Sequence, residues 1–400
     1  MLRHTLNWLA QTGSVTRLSL ETIVERKGAC ATSVFGIAGV VAVFVAVLSI
    51  AQGFRQVMTR SGDPTKAIIL RSGSDTEMMS FFSGIESRLI ADAPGVAHSA
   101  TGPLASRELF VVINLPKRST GTDANVPLRG VSPNAFEVHD RLRIQMGRPF
   151  VPGRNEVIVG IGAAREFAGL DLGASIRVGR NDWTIVGLFT AEGGLAESEI
   201  WTDATMLQSA YQRGNSYQTV VVKLTSPRAF PDFQHALEND PRLQVKALLQ
   251  TDYYIDQSRT VYNLITGLGT LIAALMAVGA VFGALNTMYT AVAARTREIA
   301  TLRALGFGSS PVVVSILLES LLLALLGGML GSAIAYWVFD GFRAATMNWQ
   351  SFSQVAFAFR VTPSLLIQGI LCATLIGLIG GLLPALRAAR LPVARALREL

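Results

Sequence analysis

The sequence predicts a membrane protein: four transmembrane α-helices, with a large α+β extracytoplasmic domain inserted between the first and second. Three observations carry this. Only 16% of the 400 residues are charged, against roughly 25% in soluble globular chains. The charges are missing from four long stretches rather than thinned evenly along the chain. The basic surplus behind the formal net charge of +7 sits in the short segments flanking those stretches.

Taken in order, residues 1–27 form an amphipathic segment with four Lys/Arg and two acids. Residues 28–54 carry no charge, enough for about 40 Å of helix and therefore a first span. A signal peptide would place its apolar core behind a much shorter basic start. Residues 260–294 are also uncharged, residues 311–339 contain only Glu319, and residues 361–386 contain no charge. These read as the second, third and fourth spans. Net charges of +2, +2 and +3 fall on residues 1–27, 295–310 and 387–400. The positive-inside rule places those segments and both termini in the cytoplasm, with residues 55–259 and the 340–360 loop outside. Basic charge divided among juxtamembrane segments is what topology and anionic membrane lipids require, so no nucleic-acid partner is expected.

Residues 55–259 have ordinary soluble composition, with 22 basic and 22 acidic residues. Strands are expected at Lys66 to Leu70, Glu156 to Val159, Trp183 to Val186 and Thr219 to Leu224, each bounded by turn residues. Helices are expected near Phe81 to Ile90 and Arg228 to Leu237. The order predicts two subdomains, one from the two ends of the segment and one from an insertion at about 111–214; a single continuous domain is the alternative.

The search for chemistry is mostly negative. No G-x-x-x-x-G-K-[ST] loop occurs, and none of the five lysines follows a glycine, so no phosphate cradle is expected. Gly160, Gly162 and Arg165 make a partial dinucleotide fingerprint, but the bulky Arg165 stands where close helix packing needs a small residue. The four histidines are scattered and no metal site is indicated. No G-x-S-x-G elbow occurs, so no catalytic residue or bound cofactor is assigned. Cys30 and Cys372 read as small core residues.

The spans carry more pattern. Gly279/Gly283, Gly327/Gly331 and Gly377/Gly381 each make G-x-x-x-G, and Ala38, Ala42 and Ala46 make a small-residue stripe. Such residues permit close helix approach, either within one chain or across a dimer. Glu319 is the acid within a span, an interhelical or snorkelling carboxylate near the cytoplasmic face, with a transport site as the alternative. Between spans two and three, Arg295, Thr296, Arg297, Glu298, Ile299, Leu302, Arg303, Leu305 and Gly306 form a short amphipathic helix with a glycine stop. It is either a topogenic turn or a helix docked on a cytoplasmic partner through Leu302 and Leu305.

These residues resemble the MacB/FtsX-like ABC transporter permeases, which include macrolide-efflux and lipoprotein-releasing members. Asn286-Thr287-Met288, the RTREI of 295–299 and the LRALG of 302–306 are similar to that family's signature, as is LLESLLLALLGGMLG at 317–331. LRGV at 128–131, GRPF at 147–150 and WTIVGL at 183–188 are similar to patterns of its external domain. The tail around Pro384 to Leu391 is similar too, but Pro392 falls one position early and Arg395 replaces an acidic residue. The resemblance implies that Arg295 to Gly306 is a coupling helix on a separate cytoplasmic ATPase, which binds ATP and Mg. It implies a dimer with a second permease copy or homologue in the bacterial inner membrane. It also implies mechanotransmission, in which motion driven by ATP reaches the external domain without a substrate path through the bilayer. The apolar spans agree with that last point, because a hydrophilic path would need polar lining.

The chain is therefore expected to be the non-catalytic permease subunit of an ABC exporter. A periplasmic adaptor of the membrane-fusion type and an outer-membrane channel are further candidate partners. The alternative is an FtsX-like signalling permease that activates a cell-wall hydrolase without moving substrate. The size of the insertion favours export, since the resemblance gives division-associated members smaller external domains. A membrane-anchored receptor without an ATPase is a third reading.

Overall fold

The computed structural model describes residues 8, 11–17, 21, 26–179, 181–348 and 353–390. Two compact units divide the chain: a helical unit of Met1–Gln52, Leu264–Phe342 and Phe359–Leu400, and an α+β unit of Gly53–Asn263 with Arg343–Ala358. Among the described residues, four helices are long and apolar enough to cross a membrane.

The first of these, α1, runs over Lys27–Ser61. It continues past Phe54 because Arg55 and Arg60 end a hydrophobic span without breaking a helix. The α+β unit follows with β1 (Lys66–Arg71), α2 (Gly84–Ala91), β2 (Ala105–Pro116), β3 (Asp123–Val131), β4 (Arg143–Gly147) and β5 (Glu156–Gly160). Next come α3 (Ile161–Glu166), β6 (Ser175–Val178), β7 (Asn181–Thr190), β8 (Ile200–Asp203), α4 (Ala204–Ala210), β9 (Thr219–Lys223), α5 (Phe230–Glu238) and β10 (Val245–Leu249). Helix α2 starts later than the Phe81 expected from pattern, because Ser83 and Glu86 form a reciprocal capping box that fixes its first turn.

The strands build one ten-stranded mixed sheet in the order β10-β1-β9-β2-β3-β8-β5-β7-β4, with β6 beside β7. Alternation places successive side chains on opposite faces. Ala67 and Ile69 of β1 join one core with Phe233 and Leu237 of α5, while Ile68 and Leu70 face Tyr253. A second core gathers Val111, Val157, Val159, Phe167 and Trp183. The insertion boundary expected near Val111 thus falls inside a strand. Through Glu108, β2 pairs with β9, and from Leu109 onward it pairs with β3. One strand serves both of these cores, with Ala105 of β2 in the first and Leu109, Val111 and Ile113 in the second.

The residues expected to form an external loop at 340–360 instead contain β11 (Arg343–Asn348) paired antiparallel with β12 (Ser353–Ala358). Val355 is fully buried, Phe357 meets Phe54 edge-on at 5.9 Å, and the Ala356 amide donates to Ser198 Oγ at 3.0 Å. This hairpin is part of the α+β unit. The charge pattern used to read it locates membrane boundaries and carries no strand signal.

In the helical unit, α6 (Gln250–Ala294), α7 (Thr296–Ala304), α8 (Ser309–Phe339) and α9 (Pro363–Ala389) complete the chain. Ile37, Val41 and Val45 of α1 pack with Ala324 and Ala335 of α8 and Ala373 and Ile376 of α9. Helix α6 leaves Leu264, Leu268, Leu271, Leu275, Val278 and Phe282 exposed. Of the tail expected at 387–400, residues 391–400 lie outside the described residues, as do Pro392, Arg395 and most of the first 25 residues.

Candidate functional site

The Arg295 to Gly306 segment is shaped by its two ends. Arg295 leaves helical geometry at φ −108° and ψ 13°, which separates α6 from α7. Thr296 Oγ1 donates back to the carbonyls of Val292 and Ala293 at 3.1 and 3.0 Å, holding the corner. At the other end Gly306 adopts φ +95°. The Phe307 amide reaches Leu302 O and the Gly306 amide reaches Arg303 O, the paired bonds of a Schellman stop. Only glycine takes this backbone conformation without strain, which is why LRALG ends the helix where it does.

Side chains around α7 divide by face. Ile299 and Ala300 are buried, Arg297 and Glu298 are exposed, and Leu302 is half-buried. Leu305 is 73% exposed. Arg303 Nη1 donates to Ala389 O at 2.8 Å, joining α7 to the last turn of α9. A groove of about 370 Å³ lies beside α7, its lining including Met288, Val292, Ile299 and Ile316 together with Arg295 and Glu319.

Glu319 is 2% exposed. Its Oε1 accepts from Arg26 Nη2 at 2.7 Å and its Oε2 from Arg295 Nη1 at 3.3 Å. One carboxylate thus joins the residue ahead of α1, the α6–α7 corner and α8. The sequence places Glu319 and Arg295 but carries no signal for Arg26 as a partner, because the pairing spans 293 positions.

The small-residue motifs separate by surroundings. A Cβ on Gly331 would overlap Ala38 O, and one on Gly327 would stand 2.9 Å from Val34 O. A Cβ on Gly377 would overlap Ala324, and one on Gly381 would meet Ser320 Cβ at 2.6 Å. These two pairs seat α8 on α1 and α9 on α8. Gly279 and Gly283 have nothing within 4 Å of a built Cβ. Ala38 and Ala46 are buried and Ala42 is half-buried.

Gly160 and Gly162 of the partial dinucleotide pattern lie against the backbone of Glu197. Close packing accounts for both glycines.

A second polar constellation lies in the α+β unit. Arg129 of β3, 4% exposed, grips Glu199 with Nε and Nη2 at 2.8 Å each. Its remaining donors reach Glu77 at 3.1 and 3.0 Å and Glu108 at 2.7 Å. His139 Nε2 lies 2.7 Å from the other Glu108 oxygen, and Trp201 Nε1 donates to Glu199 at 2.7 Å. Burial alone would raise Glu108, but the charges of His139 and Arg129 outweigh it and hold the carboxyl down at about 2. Asp140 is likewise held at about 2, its burial outweighed by hydrogen bonds from Lys223 and Lys66. The sequence signal for this cluster is an arginine inside an apolar strand run, whose partners are remote.

Carboxyls depressed in the folded state stabilise it above their unfolded pKa of about 4, and that stability drains as pH falls toward the folded value. The thermal midpoint of the α+β unit, followed by fluorescence of the buried Trp183 and Trp201, should therefore hold from pH 7 to 5 and fall steeply between pH 4 and 2. A flat midpoint across that acid range would remove Glu108 and Asp140 as stabilising ions.

Residues 31–240 match the MacB-like periplasmic core domain, and residues 270–393 match the FtsX-like permease C-terminal domain. The chain is 28% identical over 240 residues to the macrolide export ATP-binding/permease protein MacB of Rhodopseudomonas palustris, covering 57% of this chain and 35% of that protein. It is 35% identical over 131 residues to the MacB of Photorhabdus laumondii, covering 32% and 19%. The chain thus spans about a third of the length of the former. Among solved structures, the periplasmic region of MacB from Actinobacillus actinomycetemcomitans aligns at TM-score 0.38 and 13% identity, covering 50% of this chain and 95% of that one. The family-domain matches agree with the resemblance read from 286–306 and 317–331, and the chain belongs to the MacB/FtsX-like ABC transporter permease family of multi-pass membrane proteins.

Proposed function

We propose that this chain is the membrane subunit of a mechanotransmission-type ABC exporter in a bacterial inner membrane. ATP and Mg²⁺ bind a separate cytoplasmic ATPase, whose strokes push on α7, and the α+β unit on the opposite side performs the work of export. The observation that carries the reading is Leu305, 73% exposed at the C-cap of a helix whose two ends are both fixed. An exposed leucine next to Arg297 and Glu298 has the chemistry of an interface anchor ringed by polar groups. Both termini lie on the ATPase side, where the basic surplus is found. The exposed leucines of α6 and the open Gly279/Gly283 pair support a second permease copy or homologue against that helix. Exported material passes outward to a periplasmic adaptor and an outer-membrane channel.

The test is Leu305→Asp, alone and with Leu302→Asp, in tagged protein purified from native membranes in mild detergent. Leu305 is exposed, so its replacement leaves the fold intact. Recovery of the ATPase should fall about tenfold, as for loss of an interface anchor, and stimulated ATP hydrolysis should fall with it. An ATPase that still co-purifies and is still stimulated overturns the assignment of α7.

A further inference from the structure

We infer that Glu319 is the positioning residue of the coupling mechanism: through Arg26 and Arg295 it fixes the angle of α7 against α1 and α8, so that force on α7 reaches both helices together. The inference rests on the coupling role proposed for α7. Both carboxylate oxygens are held by guanidinium donors, at 2.7 and 3.3 Å. Arg295 has two duties. Its carbonyl accepts the Ile299 amide at 3.0 Å and so opens α7, while its side chain reaches Glu319. Glu319 thus holds the side chain of the residue whose backbone opens α7.

The geometry also separates this role from plain stability. A buried ion pair is weak evidence for stability, because apolar residues of similar volume commonly replace it without loss, whereas removing one partner strands a charge. What apolar residues lack is direction. Hydrogen bonds at fixed oxygens set an angle, and a greasy contact at the same place permits sliding. The other fixed point, Arg303 on Ala389 O, lies at the far end of α7. Without Glu319 the helix would pivot about that end.

The experiment uses the full chain with its co-purified ATPase in lipid nanodiscs. Three forms are compared: wild type, Glu319→Gln, and the triple variant Glu319→Leu, Arg26→Met, Arg295→Met. Nitroxide labels go at Arg297, in the first turn of α7 and away from the Arg303 pivot, and at Leu383, both exposed. For Glu319→Gln the ATPase should still co-purify through Leu305, stimulated hydrolysis should fall about tenfold, a size typical of lost coupling, and the label distance distribution should broaden. The triple variant should recover the wild-type melting temperature while its stimulation stays low. Unchanged stimulation with an unchanged distribution in Glu319→Gln overturns the inference, as does a triple variant that regains stimulation together with stability. If the wild type recovers no ATPase, the coupling reading fails instead, and the label distances still decide whether Glu319 sets the angle of α7.

Discussion

Replacing Arg129 with alanine is expected to destabilise the α+β unit by about 3–5 kcal/mol, the range found when one partner of a buried ion pair is removed. The side chain is the common cation for Glu77, Glu108 and Glu199, all at most 9% exposed. Truncation leaves three carboxylates close together without it. Protonation relieves part of the cost, and burial already raises Glu77 against the pull of Arg129. Arg129→Lys should fall between wild type and alanine, because one ammonium cannot reproduce the fork that spans Glu199, Glu77 and Glu108 at once. A loss of this size lowers the melting temperature of a domain of about 200 residues by roughly 10 °C. Fluorescence melts reporting on Trp183 and Trp201 measure it. A midpoint for Arg129→Ala within a degree or two of wild type would mean the cluster is idle.

The second large effect is expected in the helical unit. Gly331→Leu should cost about 3 kcal/mol or more, at or beyond the usual range for overpacking. The added atoms meet Ala38 O, which is backbone, and stand 2.9 Å from Val41 Cβ and 3.0 Å from Ala38 Cα. None of these is the far end of a flexible side chain, so α8 and α1 must separate. Gly279→Leu is the matched control, since its Cβ would enter open space. It should leave monomer stability unchanged or raise it by up to about 1 kcal/mol, the gain of replacing a mid-helix glycine, while disturbing any partner seated on α6. Thermal unfolding of both variants in the same detergent is the comparison. Equal losses at the two positions would show that contact with α1 is not what makes Gly331 intolerant, since leucine is the better helix former at both.

These two sites show what the sequence carries and what it leaves out. Absence of charge locates a span because burying charge in hydrocarbon is costly wherever it occurs along the chain. It does not locate the end of a helix, so α1 and α6 extend past the limits set at residues 54 and 260. The LRALG stop was legible because a Schellman end needs only local residues. The three G-x-x-x-G pairs look alike in sequence, yet two are filled by neighbours and one is open. Which neighbour arrives is decided by helices remote in sequence. Arg26 on Glu319 and Glu77 on Arg129 are invisible for the same reason. The hairpin at 343–358 was partly legible, since Val355 and Phe357 alternate with alanines as a half-buried strand should.

Strand β2 has one more consequence, for internal motion. Its first residues bond to β9 and its later ones to β3, without a break in the strand. The two ladders meet end to end at Glu108 and Leu109, so any movement of one core against the other must be carried by this one strand. A fragment cut at residue 111 would carry an edge of unpaired amides and carbonyls, the kind of template that seeds aggregation. Exchanging the inserted half for another requires the newcomer to supply the same strand.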